Sequence, residues 1–131
     1  MKPEHHIEAY HEHRDAVFRW ALEVRGLDKS QRIVGLHASR GVIELLSAFL
    51  HERGVFPVGS QLNHRWFKSA RVAERLPDFE QKDILVTKIV QLENLSEDLA
   101  YGAPKPIDEI RKCLDLFRDI ESLLGKLRGG Q

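Results

Sequence analysis

The sequence predicts an all-α fold: an antiparallel four-helix bundle with one additional short helix. Three observations carry this. Apolar residues recur at three- and four-residue spacing through most of the chain, Gly and Pro cut it into segments with brief connections, and no stretch alternates apolar and polar residues as a half-buried strand would. Short links between long helices make neighbours antiparallel. With 131 residues, 42% of them hydrophobic, residues 1–131 form a single domain that can bury its own core.

The first helix covers about Pro3 to Arg25, with Tyr10, Val17, Trp20, Ala21 and Val24 as its inward seam and Gly26 as its stop. His6 and His13 lie on the same seam and point at the neighbouring helix. Asp28 or Ser30 caps a second helix that runs to about Arg53, and Gly54 closes it. Residues 55–60, with Pro57 and Gly59, read as a loop. Leu62, Trp66, Phe67, Ala70 and Ala73 then mark the short helix, which ends before Pro77. From about Asp78 to Tyr101 the seam Leu85, Ile89, Leu92, Leu95, Leu99 is periodic, and Gly102, Pro104 and Pro106 end it. The last helix starts near Pro106, takes Asp108 and Glu109 into its first turn as the helix dipole favours, and carries Ile110, Leu114, Phe117, Ile120, Leu124 and Leu127. Gly129-Gly130-Gln131 should fray.

Helix two is apolar over most of its circumference, through Val34, Leu36, Ala38, Val42, Ile43, Leu45, Leu46, Phe49 and Leu50, so it should be central and packed on several sides. Along it runs one polar stripe, His37, Arg40, Glu44, Ser47 and His51, at steps of three and four. Buried charge needs solvent or a partner, and grooves between bundle helices are where sites are built. These five residues are the first candidates for ligand binding, with an Arg40–Glu44 ion pair one turn apart. His64-Arg65-Trp66, at the start of the short helix, adds His64 and Arg65, since an imidazole, a guanidinium and an indole together can hold an anion or stack a base.

Formal charge is zero overall, which excludes a generic nucleic-acid coat. Its distribution is uneven: residues 30–76 hold seven Lys/Arg against three Asp/Glu, and residues 77–124 hold six against eleven. A basic middle suits an anionic ligand. Cys113 is the sole cysteine, so no internal disulfide forms, and a reducing, cytoplasmic location is the expectation. No apolar run approaching a membrane span or a signal peptide is read, so a soluble protein without a membrane partner is expected.

Seven histidines raise the question of a metal. The candidate ligands are His6 or His13 with Glu44 and His51 across the hairpin, but no two of these histidines on one helix stand three or four apart, and the di-metal pattern Glu-x-x-His occurs only at Glu8–His11. No cofactor is expected. Nucleophilic catalysis finds no support, because Ser39 and Ser47 do not sit on a strand-to-helix elbow and Cys113 has no histidine near it in sequence.

Three stretches, Leu36-His37-Ala38-Ser39-Arg40-Gly41-Val42-Ile43-Glu44, the segment from Gly54 to His64-Arg65-Trp66, and Leu92-Glu93-Asn94-Leu95 through Leu99-Ala100-Tyr101-Gly102, resemble the HEPN superfamily of small helical bundles. That resemblance implies a homodimer, and a binding or regulatory module that pairs with a minimal nucleotidyltransferase in a toxin–antitoxin arrangement. Its groove would take a nucleotide, RNA or protein partner. Active members of the superfamily are metal-independent ribonucleases with an Arg-x(4–6)-His motif, whose only literal match here is Arg32 to His37. The leading expectation is therefore a non-enzymatic module. The alternatives are a ribonuclease using Arg32 or Arg40 with His37, and a metal-binding bundle. Dimerisation is also expected from Phe18, Trp20 and Trp66, large apolar groups that one small bundle cannot all hide.

Overall fold

The structure, a computed structural model, describes residues 2–56 and 61–129; most of the predicted 55–60 loop, and the fraying expected at Gly130 and Gln131, lie outside the described residues. Among the described residues every regular element is helical. Helix α1, Pro3–Arg14, begins with proline in its first turn and runs without a break into a π-helix, Asp15–Arg25, which Gly26 ends at φ 99°. The predicted bounds hold, but the winding differs. A π turn closes from i to i+5, so a seam read at α spacing drifts around the rod. Val17, Phe18 and Ala21 are buried, whereas Trp20 and Val24, expected inside, are 48% and 62% exposed.

Helix α2, Gln31–Glu52, contacts α1, α3 (Lys82–Tyr101) and α4 (Ile107–Gly129), which makes it the central rod. The partners fix the topology. His6 meets Glu44 while His13 meets His37, Gln31 reaches Leu99 while Arg53 reaches Glu80, and Ser96 meets Cys113 while Lys88 meets Asp119. Each successive pair of helices is thus antiparallel, around a core that includes Leu46, Phe49, Leu50, Leu92, Phe117 and Ile120. By length and composition α2 is apolar enough to cross a bilayer, which corrects the expectation that no run qualifies; most of its residues are buried among its neighbours, as in a core helix.

Two glycines let α2 lie so close to its neighbours. A Cβ on Gly35 would come within 2.7 Å of Ser96 O and 2.4 Å of Ala100 N, both α3 backbone, and one on Gly41 would meet Phe117 and His13. At this crossing the start of α2 is latched to the end of α3. Gln31 Nε2 donates to the Leu99 and Ala103 carbonyls at 3.2 and 3.1 Å, and Arg32 Nη1 donates to Ala100 O at 2.7 Å. Orphan carbonyls at the negative end of one helix are thereby satisfied. Ser30 stands at the predicted N-cap of α2, but its side chain makes no capping bond.

The predicted short helix is instead two 3₁₀ segments, His64–Lys68 and Ala70–Arg75, separated by Ser69 in extended conformation at φ −139°, ψ 159°. Each has its own cap: Asn63 Oδ1 accepts from Arg65 N at 2.9 Å and Ser69 Oγ from Arg71 N at 3.2 Å. Phe67 and Val72 anchor them to the core, and Arg75 lies over the Trp66 ring at 4.8 Å.

Candidate functional site

The polar stripe of α2 faces two neighbours at once, and its residues divide between them. Toward α1, the Glu44 carboxylate accepts from His6 Nδ1 at 2.6 Å, and the His6 ring stacks on His51 at 5.3 Å between centroids. About two turns along α2, His13 and His37 place their Nδ1 atoms 2.9 Å apart, so one imidazole donates and the other accepts. Burial pushes both pKa values below the ordinary histidine value, helped at His13 by the His37 ring and at His37 by the Arg40 guanidinium. Ser47 is buried and donates to Ile43 O at 2.9 Å, so its hydroxyl serves its own helix.

The predicted Arg40–Glu44 pair does not form. Glu44 is held by His6, and Arg40 turns back to donate to the carbonyl of Leu36. Among the described residues its guanidinium has no carboxylate partner. It stands on the ridge between two open chambers that also share His64. One, of about 300 Å³ between α2, α3 and the first 3₁₀ segment, has Ser39 and Ser96 in its lining, Arg65 and Lys68 among its cations, and Tyr101 at its rim. The other, of about 470 Å³, opens toward α1 and is bordered by His13, Glu44, Leu62, Asn63 and Trp66.

His64 is an acid–base group of this groove held by a buried carboxylate. Its Nδ1–H donates to both oxygens of Glu93 at 3.0 and 3.1 Å, and Glu93 is 2% exposed. A buried carboxylate that grips Nδ1 fixes the imidazole's tautomer and orientation and directs proton chemistry to Nε2. Lys68 is balanced by Glu97 at 2.9 Å, which leaves Arg40 and Arg65 as the groove's cations without ion-pair partners among the described residues.

The predicted site residues thus separate. Arg40, Glu44, His64 and Arg65 border the groove; His37 meets it only through its partner His13; Ser47 is turned to its own backbone; His51 stacks on His6; and Arg32, offered as a catalytic partner of His37, is engaged by the α3 carbonyls at the far end of the helix. Among the described residues no three His, Cys, Asp or Glu side chains gather where one ion could reach them, and His6, His13, Glu44 and His51 are sorted into a pair, a stack and a second pair. Glu93, Ser96 and Lys68 escaped the sequence reading as site residues, and Ser39 was weighed there only as a nucleophile. A signal was available for two of them, since Glu93 and Ser96 occupy inward positions of the α3 seam where a core helix would carry aliphatic residues. Burial pushes the Cys113 thiol up to about 12, so it stays protonated and unreactive beside Ser96.

Compared with known proteins, the chain matches no protein-family model, and neither a curated protein nor a solved structure matches it.

Proposed function

We propose that this bundle is a HEPN-like binding or regulatory module whose groove on α2 takes a phosphate-bearing ligand, a nucleotide or short RNA. The observation that carries the reading is Arg40: a guanidinium with no carboxylate partner among the described residues, on the ridge shared by two chambers. Arg65 adds a second cation, and Trp66 with Leu62 offers a surface on which a base can stack. The same reading makes the chain a homodimer and the companion of a minimal nucleotidyltransferase. Calorimetric titration with mononucleotides and short RNA tests it: the parent should bind, and Arg40→Ala should weaken binding by roughly tenfold or more, the value of one charge-assisted phosphate contact. Absence of binding by the parent would remove the proposal.

The His64–Glu93 pair favours a second reading, metal-independent RNA cleavage. In it a ribose 2′-hydroxyl attacks the adjacent phosphorus, its proton passes to His64 Nε2, the bond to the 5′-oxygen breaks, and Arg40 stabilises the charge on the phosphoryl oxygens. The leaving oxygen takes its proton from water. Cleavage that is lost in His64→Ala and shifted in pH profile by Glu93→Gln would support this reading; equal rates in parent and His64→Ala would eliminate it.

A further inference from the structure

The first turn of α2 is bare where helices are ordinarily complemented. The N–H groups of Gln31, Arg32 and Ile33 find no acceptor among the described residues; the backbone ladder begins with Val34 N donating to Ser30 O at 3.0 Å. Ser30 is at the N-cap, yet its hydroxyl makes no cap bond. That hydroxyl is also without a hydrogen-bond partner among the described residues, although Ser30 is only 2% exposed. No acidic residue occupies the first turn. A 22-residue helix therefore presents its positive end with neither of the usual answers to it, a side-chain cap or a carboxylate.

The surroundings have the same sign. Ser30 belongs to the lining of an open pocket of about 350 Å³ in which Arg25, Lys29 and Arg32 stand against a single carboxylate, Asp28, with Ile33 and Pro104 as an apolar wall. None of the three cations is ion-paired among the described residues. Two of them are braced from behind, Arg25 Nε donating to Lys29 O at 2.9 Å and Arg32 to the end of α3. An unmade hydrogen bond on a buried hydroxyl is costly to keep, and a neutral ligand would leave the three cations unanswered.

We infer that the N-terminus of α2 is a second ligand site, distinct from the Arg40 groove, which takes a phosphate-type oxyanion. Its oxygens accept from Ser30 Oγ–H and the free N–H groups of the first turn, while Arg25 and Lys29 balance the charge. The same chemistry serves free phosphate and the phosphoryl group of a small organic phosphate, whose organic part would lean on Ile33 and Pro104.

Titration of the ¹⁵N-labelled protein with inorganic phosphate and with phenyl phosphate, against chloride at matched ionic strength, tests this. Saturable shifts centred on the amides of Gln31, Arg32 and Ile33 are expected with both phosphates and not with chloride. Tighter binding of phenyl phosphate would identify an organic phosphate as the occupant, and equal binding free phosphate. Lys29→Gln, at an exposed position, should weaken binding roughly threefold or more. Ser30→Asp supplies its own carboxylate to the turn, so it should abolish the phosphate-induced shifts and raise Tm in phosphate-free buffer. Shifts at residues 31–33 that do not saturate or that chloride reproduces would overturn the inference. So would parental affinity in Lys29→Gln, which decides the matter even if Ser30→Asp does not fold.

Discussion

Replacing Gly35 with alanine tests how the groove is built. The added methyl would lie 2.4 Å from Ala100 N, 2.7 Å from Ser96 O and 2.9 Å from Ala100 Cα, where ordinary contact begins at 3.4 Å, so α3 must retreat by about 1 Å (3.4 − 2.4). All three atoms are backbone and cannot rotate away. Overpacking of this kind costs about 1–3 kcal/mol, here toward the upper end, while removing glycine from a helix interior returns about 1 kcal/mol. The net expectation is a loss of about 2 kcal/mol, a fall in Tm of roughly 6–10 °C for a chain of this size. Urea unfolding should show the loss as a lower midpoint at unchanged slope. Gly41→Ala is the comparison, because its methyl would meet Phe117 Cε2 at 3.0 Å and His13 Cβ at 3.1 Å, side chains that can shift. That variant should stay within about 1 kcal/mol of the parent. Since Gly35, Ser96 and Ala100 also line the cleft, Gly35→Ala should widen it and weaken any ligand held there. A Gly35→Ala protein as stable as the parent would refute the claim that backbone contact between α2 and α3 sets the crossing.

His64→Ala would leave the Glu93 carboxylate buried without its partner, at a cost of about 3 kcal/mol, and His64→Ala with Glu93→Leu should recover most of it; thermal melts of the three proteins check this. His13 and His37 titrate below the ordinary histidine value in the folded protein, so the unfolded chain takes up protons first. The stability they confer is complete above the ordinary value and is lost as pH falls through it toward the lower folded values. Melting curves from pH 8 to pH 5 should show a decline that is shallower in His13→Asn, and NMR titration of either ring at or above its usual value would contradict the assignment. Gln81 holds φ 64° at the N-cap of α3, where a side chain is strained, so Gln81→Gly should gain about 0.5–1 kcal/mol in urea unfolding.

Element type and order were legible in the sequence because each long helix carries its own periodic seam and its own stop, Gly26, Gly54 and Gly102 among them. The central place of α2 followed from its width of apolar surface. What lay beyond was set by partners across space. The stripe on α2 could say that His37, Arg40 and Glu44 share a face, but not that α1 would present His6 and His13 to it, taking Glu44 from Arg40. Ser47 looked like part of a site because period alone does not distinguish a hydroxyl turned to a groove from one bonded to its own backbone. Glu93 went unremarked because a single carboxylate in an apolar seam is ordinarily dismissed, although that misfit was the sign of its buried bond to His64. Asn63 and Ser69, good capping residues four and ten positions past Gly59, could have divided the short helix in advance.

The wide coil of Asp15–Arg25 turns an indole into a reporter of backbone hydrogen-bond register. As long as that stretch keeps its loose pitch, Trp20 meets water and its fluorescence belongs at the red end of the tryptophan range, whereas Trp66, beneath the Arg75 guanidinium, is partly screened. Tightening by a fraction of a residue per turn would carry Trp20 back toward the seam and shift its emission to the blue, so the spectrum of a Trp66→Phe protein follows the winding of the first rod directly.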